Sequence, residues 1–424
     1  METITSPRSV LLVALLTSSF TLARGQDAPM ASAKPVESIV KEAEKDPNDP
    51  EKKEDPKFTY SGYFDTYYFG NFNNPSTRSN LGSSGFSRGF DRFPGQFQLG
   101  MFLNRMAYTH KNTEVVAEIG FGPNVEYGSY GSDFRYKWGT TIANNTYTAL
   151  MIKQAYVNFK ASDKLTFTMG QFGTHIGYEL IDAPLNFHYS INNTFNAGIP
   201  FYHLGLKANY AISSKVSVMA GIVNGTDNIN DNNRGKSFIG QVTVNPAKGL
   251  TVYINTIQGN EANARSNGKD TTSYFGIIDL VATYQANSHL LLAFWGMYGT
   301  HQGEYQGSTY FTETKHWSGV NFYASYKLSD LFSIGTRIEH FDNQDGARAL
   351  LTNGKGTSVE TYTLTGIFSL ADGKLMVKPE LRLDDFQRVT GLPGETPIQQ
   401  FADSNGNFTN NSQVTLGAAV IYKF

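Results

Sequence analysis

The sequence has 424 residues, no cysteine, 17% charged residues and a formal net charge of -2 at pH 7. The absence of cysteine excludes disulfides, thiol chemistry, Cys-ligated zinc and a lipoprotein anchor. The 35 Lys and Arg residues nearly balance the 37 Asp and Glu residues, so there is no basic footprint for nucleic acid and no nucleic-acid partner is expected.

The N-terminal part of the chain predicts export followed by a tether. A short apolar run at 10–16 is followed by the small residues Ala23 and Gly25, as in a secretory signal peptide. We therefore predict a signal peptide at 1–25 and Sec-type export. Residues 26–57 are rich in Pro, Glu, Lys and Asp and contain no aromatic residue. Such a segment cannot bury enough apolar surface to offset its ordering entropy, which predicts a disordered periplasmic tether.

From Phe58 to Phe424 the chain is built of segments of about ten residues in which every second residue is apolar. A period of two indicates β-strands with one apolar and one polar face. We predict sixteen such strands, at 58–69, 96–110, 113–121, 151–160, 164–172, 201–212, 215–224, 236–246, 249–258, 273–285, 288–300, 316–327, 331–342, 358–370, 374–388 and 413–424.

The connections between these strands alternate between long and short along the whole chain. The short ones are built of turn residues, such as "KN", "ASD" and "ADGK". The long ones are 70–95, 122–150, 173–200, 225–235, 259–272, 301–315, 343–357 and 389–412. Short periplasmic turns, long outer loops and an even strand number are typical of bacterial outer-membrane barrels. We therefore predict an all-β, membrane-spanning antiparallel β-barrel at 58–424, in contact with outer-membrane lipid.

The polar faces of sixteen strands are expected to line an aqueous lumen. Their charges have mixed signs, so the wall alone predicts no strong ion preference. The predicted pore-lining residues are Asp65, Glu114, Glu118, His203, Lys207, Arg337, Glu339, Lys378, Glu380, Arg382 and Asp384.

The third long connection, 173–200, is apolar for an external loop, so it should pack against another part of the protein. In porins the third loop folds into the lumen, and by this analogy we predict a constriction here. Its candidate residues are His175, Glu179, Asp182 and His188. The loop has no Lys or Arg, which predicts a weak cation preference, with the histidines adding positive charge below about pH 6.5.

Neither a metal site nor a catalytic site is indicated by the spacing of the candidate residues. His175 and Glu179 would converge on a metal only if they lay on a helix, which Gly173, Gly177 and Pro184 oppose. The Asx-rich stretch "NGTDNINDNNRGKS" does not fit an EF-hand, because it lacks the required glycine and glutamate positions. Nucleophilic catalysis would need a nucleophile held beside a histidine, and no such spacing is present. We therefore predict no metal site, no cofactor and no enzymatic activity.

Two stretches resemble a known family. The first runs through Gly170, Phe172, Thr174, Gly177 and Glu179 to Pro200, His203 and Gly205. The second comprises Val223-Asn224-Gly225 with Asn232, Asn233 and Lys236. Both are similar to the putative β-barrel porin-2 (OmpL-like) group, over about 150–240. The resemblance implies a diffusion channel without naming a solute. Where the family often has a Tyr-Ser-Arg-Ser-like run, this chain has "HYSINN", so the resemblance does not imply anion selectivity.

The predicted function is an outer-membrane porin that passes small hydrophilic solutes by passive diffusion. One alternative is a barrel with a plugged lumen whose outer loops bind a ligand or partner. Another is an outer-membrane hydrolase. The final strand, which ends at Phe424, resembles the recognition signal of the barrel assembly machinery. Homo-oligomerisation stays open.

Overall fold

The computed structural model describes residues 56–128, 151–229, 231, 233–262, 273–305, 309–390 and 396–424. The predicted signal peptide and nearly all of the predicted tether lie outside these residues. No helix among the described residues is long and apolar enough to cross a bilayer.

Sixteen strands form a closed antiparallel barrel, as predicted. They are β1 (Lys57–Asn71), β2 (Gln98–His110), β3 (Thr113–Phe121), β4 (Met151–Lys160), β5 (Leu165–Gly173), β6 (Tyr202–Ala211), β7 (Val216–Val223), β8 (Ser237–Ala247), β9 (Leu250–Gly259), β10 (Ser273–Gln285), β11 (Leu290–Tyr305), β12 (Thr309–Lys327), β13 (Phe332–Asn343), β14 (Thr357–Leu370), β15 (Leu375–Phe386) and β18 (Ser412–Lys423). Two short strands, β16 (Phe401–Ala402) and β17 (Phe408–Asn410), form a separate two-stranded sheet.

The last strand closes the barrel against the first. Backbone amides of Gly62 and Phe424 donate to each other's carbonyls, each at 3.1 Å. The Phe424 ring lies 5.8 Å from both Tyr60 and Phe102, between centroids. A Cβ at position 62 would lie 2.1 Å from the carbonyl oxygen of Leu103, so only glycine fits there. The C-terminal residue thus belongs to the seam of the barrel.

The prediction of a long loop at 301–315 is wrong. β11 and β12 continue through most of it as a paired hairpin, with Gly303 opposite Phe311. The His301 ring packs between Phe275 and Phe311, at centroid distances of 5.7 and 5.6 Å. These contacts stabilise the extended part of the hairpin. β11 and β12 are therefore longer than a bilayer requires and extend beyond the predicted membrane span.

The two faces of the strands differ as the alternation predicts. Outward side chains are apolar and exposed, for example Phe322 on β12 and Leu416 on β18. Inward side chains on neighbouring strands are polar, and many are completely buried, for example Arg337 and Glu339 on β13. A sheet whose apolar face points outward is suited to lipid contact, because the closed barrel leaves no unpaired edge.

Two long connections fold into the space inside the barrel, and one of them is the third, for which an inward fold was predicted. We call them L1 (72–97) and L3 (174–201). Phe90 of L1 lies 5.8 Å from Phe201 of L3, and Phe195 of L3 lies 5.3 Å from Phe201, between ring centroids. Burying these aromatic rings inside the barrel removes apolar surface from water. L3 also contains a short helix, α2 (Asn193–Gly198), capped by the Asn192 side chain, and a second helix, α1 (Pro123–Gly128), follows β3.

Candidate pore constriction

L3 leaves the end of β5 and crosses to the opposite wall of the barrel. Nε2 of His175 lies 3.0 Å from the Thr256 carbonyl oxygen on β9. The Gly177 amide donates to Asp279 on β10 at 2.8 Å. Gly177 has a φ of 94°, and a Cβ there would lie 3.0 Å from the Trp295 ring. Glycine therefore permits the turn that brings L3 against the wall.

Glu179 is anchored to the wall rather than exposed to the lumen. One carboxylate oxygen accepts from Arg337 Nη1 at 2.6 Å and from the Tyr323 hydroxyl at 3.2 Å. The other accepts from the Asn192 amide at 2.9 Å. Only 4% of the residue is exposed. The negative charge predicted for the constriction at this position is balanced by a buried guanidinium.

Asp182 ends a chain of four alternating charges. Lys153 Nζ lies 2.7 Å from Asp182 and 3.1 Å from Glu118. Arg105 Nη1 in turn lies 2.6 Å from Glu118. The Tyr63 hydroxyl also donates to Asp182, at 3.2 Å. This chain connects L3 to β2, β3 and β4, on the side of the barrel opposite Arg337.

The prediction that the histidines of L3 become charged below about pH 6.5 is wrong. Burial, with His203 and Lys207 nearby, lowers the pKa of His175 to about 3. Burial, with Arg337 and Lys378 nearby, holds the pKa of His188 well below its usual value. Nδ1 of His188 lies 2.8 Å from the Thr365 hydroxyl. Both rings are neutral over the physiological range and are part of the packing of L3.

The low pKa of His175 predicts a loss of stability as the pH falls. The unfolded chain takes up a proton near pH 6.5 and the folded chain does not, so this contribution is complete above about pH 6.5 and decreases at lower pH. We expect His175 alone to reduce the free energy of unfolding by about 2 kcal/mol between pH 7.5 and pH 5. Urea titration of the refolded protein should show this loss, and His175→Gln should lack it. An equal pH dependence in the variant would contradict the assignment.

Six predicted lining residues, two on β13 and four on β15, point inward, but L1 and L3 cover them. Glu339 accepts from the Asn193 and Thr194 amides at 3.0 and 2.6 Å. Glu380 accepts from the Tyr189 and Ser190 amides at 2.7 and 3.1 Å. The wall carboxylates therefore satisfy backbone donors of L3 that would otherwise be buried without partners.

The wall cations satisfy the carbonyls of L3 in the same way. Three donors share this role: Arg337 to Ser190 at 2.8 Å, Lys378 to Ala183 at 2.8 Å and Arg382 to Ile191 at 2.7 Å. Charge-assisted hydrogen bonds of this kind are roughly twice as strong as neutral ones. The mixed signs of the wall thus match the alternating donors and acceptors of a peptide backbone.

L1 is anchored by Asp384. Its carboxylate lies 2.9 Å from Arg88 of L1 and 2.7 Å from Arg382 of the same strand. Arg88 also pairs with Asp91 within L1 and donates to the Thr415 hydroxyl on β18 at 3.1 Å. All of these side chains are buried. A removal of one member would leave the others as uncompensated buried charges.

The five remaining predicted lining residues also point inward. Asp65 accepts from the Tyr189 hydroxyl at 2.7 Å, and Glu118 is in the charge chain. Glu114 accepts from Asn158 at 2.8 Å, and His203 lies 3.1 Å from the Gly225 carbonyl oxygen. Lys207 Nζ lies 4.2 Å from the centre of the Phe172 ring. Among the described residues no carboxylate pairs with Lys207.

Lys153, Arg105 and Arg88 were missed by the sequence analysis. Strict alternation on β4 would place Lys153 opposite to Gln154, on the lipid face. The register shifts here, however: Glu118 pairs with Gln154, and Ile119 pairs with Ile152. Lys153 is the extra residue of this β-bulge, which lets its side chain turn inward. Arg88 lies in L1, where no periodic pattern exists to identify it.

Within the described ranges, no three His, Asp or Glu side chains lie close enough together to hold a metal ion. Most polar groups of L3 and the wall are instead paired with each other. The arrangement holds a loop inside the barrel and presents a small number of charges to solvent.

The sequence profile of the family described as "Putative beta-barrel porin-2, OmpL-like" matches residues 57–424. The chain belongs to this family of porins. The match covers the whole barrel, beyond the 150–240 region on which the resemblance rested. No curated protein sequence matches the chain.

Solved structures show the same fold at low sequence identity. The in-vitro folded trimer form of OmpT, an outer-membrane protein of Vibrio cholerae, has 11% identity and a TM-score of 0.52, covering 87% of this chain and 99% of that one. An anion-selective porin from Comamonas acidovorans has 10% identity and a TM-score of 0.52, covering 87% and 100%. The outer-membrane channel DcaP of Acinetobacter baumannii has 9% identity and a TM-score of 0.52, covering 87% and 97%. Family and fold together make this protein an outer-membrane porin.

Proposed function

We propose that this porin passes small hydrophilic solutes by passive diffusion along a narrow path between L3 and the wall formed by β2–β8. The observation that carries this proposal is the uneven anchoring of L3, which is held mainly from β10 to β15 and is tied to β4 by the Asp182–Lys153 ion pair. Its backbone is held by wall side chains on β10 to β15, where inward residues such as Arg337 and Lys378 have no exposed surface. Transport by this route is size exclusion combined with the field of the constriction, without a chemical step.

The opposite wall keeps partly exposed polar side chains. They are Arg105, Glu114, Asn158, Lys207 and Gln241, on β2, β3, β4, β6 and β8. The Arg105 side chain is 36% exposed, whereas Arg382 on β15 is 1% exposed. Hydrated polar groups along one wall are what a diffusion path needs, because a permeating solute exchanges water for these groups.

The weak cation preference predicted from sequence does not follow from the charges along this path, where Lys207 and Glu114 have no ion-pair partner among the described residues. Glu179 and Asp182, which carried that prediction, are paired with Arg337 and Lys153. Arg105 and Glu118 compensate each other. Lys207, beside an aromatic ring and without a carboxylate among the described residues, retains an uncompensated charge. We propose that Lys207 favours anions on this path and that the Glu114 carboxylate opposes it.

Single-channel recording of the refolded porin in planar bilayers tests the proposal. We expect stable conductance steps, and a reversal potential in a KCl gradient that shifts toward cation preference in Lys207→Gln. A unit charge a few Å from an ion in water contributes about 1 kcal/mol, so the permeability ratio should change about 5-fold. The matched control, Lys248→Gln in an exposed turn, should leave the ratio unchanged. An equal shift in both variants would contradict the role of Lys207.

A second candidate function is favoured by the same loops. L1 and L3 fill much of the lumen, which suits a plugged barrel whose outer loops bind a ligand or partner. A well-folded barrel without any conductance would favour this function over the diffusion channel.

Assembly and location are proposed as follows. Sec-type export delivers the chain to the periplasm, and the strand ending at Phe424 directs it to the barrel assembly machinery. Phe424 lies at the closing seam, where its backbone pairs with that of Gly62. The trimer form of Vibrio cholerae OmpT supports a homo-oligomer for this chain as well.

A further inference from the structure

The short-turn end of the barrel carries a ring of lysines. Five of the seven turns between strands contain one, namely Lys111, Lys164, Lys215, Lys248 and Lys374. All five are exposed, and none has a carboxylate partner among the residues that the structure describes. Two of the acidic residues in these turns, Asp163 and Asp330, pair instead with Lys160 and Lys327 at the strand ends. The turn lysines therefore leave this rim positively charged.

The lysines lie beside lipid-facing aromatic side chains. Within six residues of a turn lysine, outward aromatic rings are exposed at Tyr108, Phe159, Tyr210 and Phe368. Exposed aromatic rings on the apolar face of a barrel mark the boundary between hydrocarbon and headgroups. Side chains in the adjacent turns reach the headgroup layer, because a lysine extends along apolar surface and keeps its ammonium group in water.

Outward titratable side chains at the other end of the barrel have a different character. On β13, β14 and β15, near the long loops, they are His340, Glu360 and Asp385. His340 Nδ1 and Glu360 Oε1 are 2.5 Å apart. The lipid-facing charge on these strands is thus acidic near the long loops, whereas the turn rim is basic.

We propose that the turn lysines bind the phosphate groups of anionic phospholipids in the periplasmic leaflet, which anchors the barrel at that depth. An ammonium group is a compact point charge that suits a phosphate without requiring a bidentate geometry. A basic residue near an anionic membrane surface is attracted with an energy that corresponds to about a 5-fold change in an equilibrium constant. The five lysines around the rim contribute together to this attraction. The anchoring does not depend on conduction through the lumen.

The test is urea unfolding of the full barrel in vesicles of phosphatidylcholine, with and without phosphatidylglycerol, at low salt. We expect phosphatidylglycerol to raise the folding equilibrium constant. We expect about a 100-fold smaller gain in a triple variant that combines Lys215→Gln, Lys248→Gln and Lys374→Gln, at about 5-fold per lysine. The matched control is a triple variant that combines Lys315→Gln, Lys355→Gln and Arg388→Gln. It removes three positive charges near the long loops and should keep the gain.

Three results would overturn the proposal. The first is an equal loss in both variants, which would show a net-charge effect. The second is no gain from phosphatidylglycerol in the parent protein. The third is an equal gain from inorganic phosphate added to phosphatidylcholine vesicles, which would assign the rim to free phosphate. High salt should abolish the gain if the contact is electrostatic.

Discussion

Replacing Glu339 with alanine is expected to lower the free energy of unfolding by about 3–5 kcal/mol. The completely buried carboxylate accepts four hydrogen bonds from L3, from the amides and side chains of Asn193 and Thr194, at 2.6–3.2 Å. Alanine leaves these donors without partners inside the barrel and leaves Arg337 with less compensating charge. Urea titration of the refolded protein, followed by tryptophan fluorescence, measures the loss.

The matched control is Glu360→Ala on the adjacent strand. Glu360 faces outward, its side chain is 46% exposed and its partner is His340. An exposed ion pair contributes about 0–1 kcal/mol, so this variant should be nearly as stable as the parent. If Glu339→Ala cost no more than Glu360→Ala, L3 would not be held by the wall carboxylates.

Removing the centre of L3 is expected to increase the single-channel conductance severalfold. The Asn192 amide and a carboxylate oxygen of Glu179 are 2.9 Å apart, so residues 180–191 begin and end close together. They can be replaced by two glycines without moving either anchor. The excision uncovers Lys378, Glu380 and Arg382, whose partners in L3 lie in the removed segment. A wider hydrated cross-section then connects the two ends of the barrel.

A shortened tip of the β11–β12 hairpin serves as the control for this excision. Residues 305–309 lie beyond the predicted membrane span, so replacing them with two glycines should not change the conductance. An unchanged conductance after removal of 180–191 would place the constriction elsewhere, and L1 would be the next segment to remove. A difference in gel migration between heated and unheated samples confirms that each variant is folded.

The sixteen strands could be predicted because a lipid-exposed barrel needs apolar side chains at every second position. β18 shows this clearly, with Leu416, Val420 and Tyr422 outward and Thr415 inward. The same signal fails at 301–315, where both faces of the hairpin carry polar residues outside the bilayer. Without an apolar face, strand pairing leaves no periodic mark in the sequence.

The candidate site was only partly predictable, for two physical reasons. Charge partners are far apart in the chain: Glu179 and Arg337 are separated by 158 positions. No local pattern records such a pair, so the sequence predicts Glu179 in the constriction and Arg337 in the pore lining without pairing them. The second reason is the β-bulge at Lys153, which reverses the face predicted for its side chain. The apolar composition of L3 did indicate packing, and its aromatic residues are buried against L1.

Thiol modification tests most directly whether solutes move between L3 and the β2–β8 wall. The sequence has no cysteine, so single cysteines can be introduced without a background. Asn158→Cys and Gln241→Cys are placed on the proposed path, and Thr363→Cys and Thr365→Cys are placed beneath L3. Thr363 and Thr365 are 2% and 0% exposed.

A charged methanethiosulfonate reagent is then added during single-channel recording. We expect modification at 158 and 241 to lower the conductance, because the attached group obstructs the path. Thr363→Cys and Thr365→Cys should show no change, because L3 shields them from the reagent. A block at 363 and 365 with no effect at 158 and 241 would contradict the account and place the path along β14.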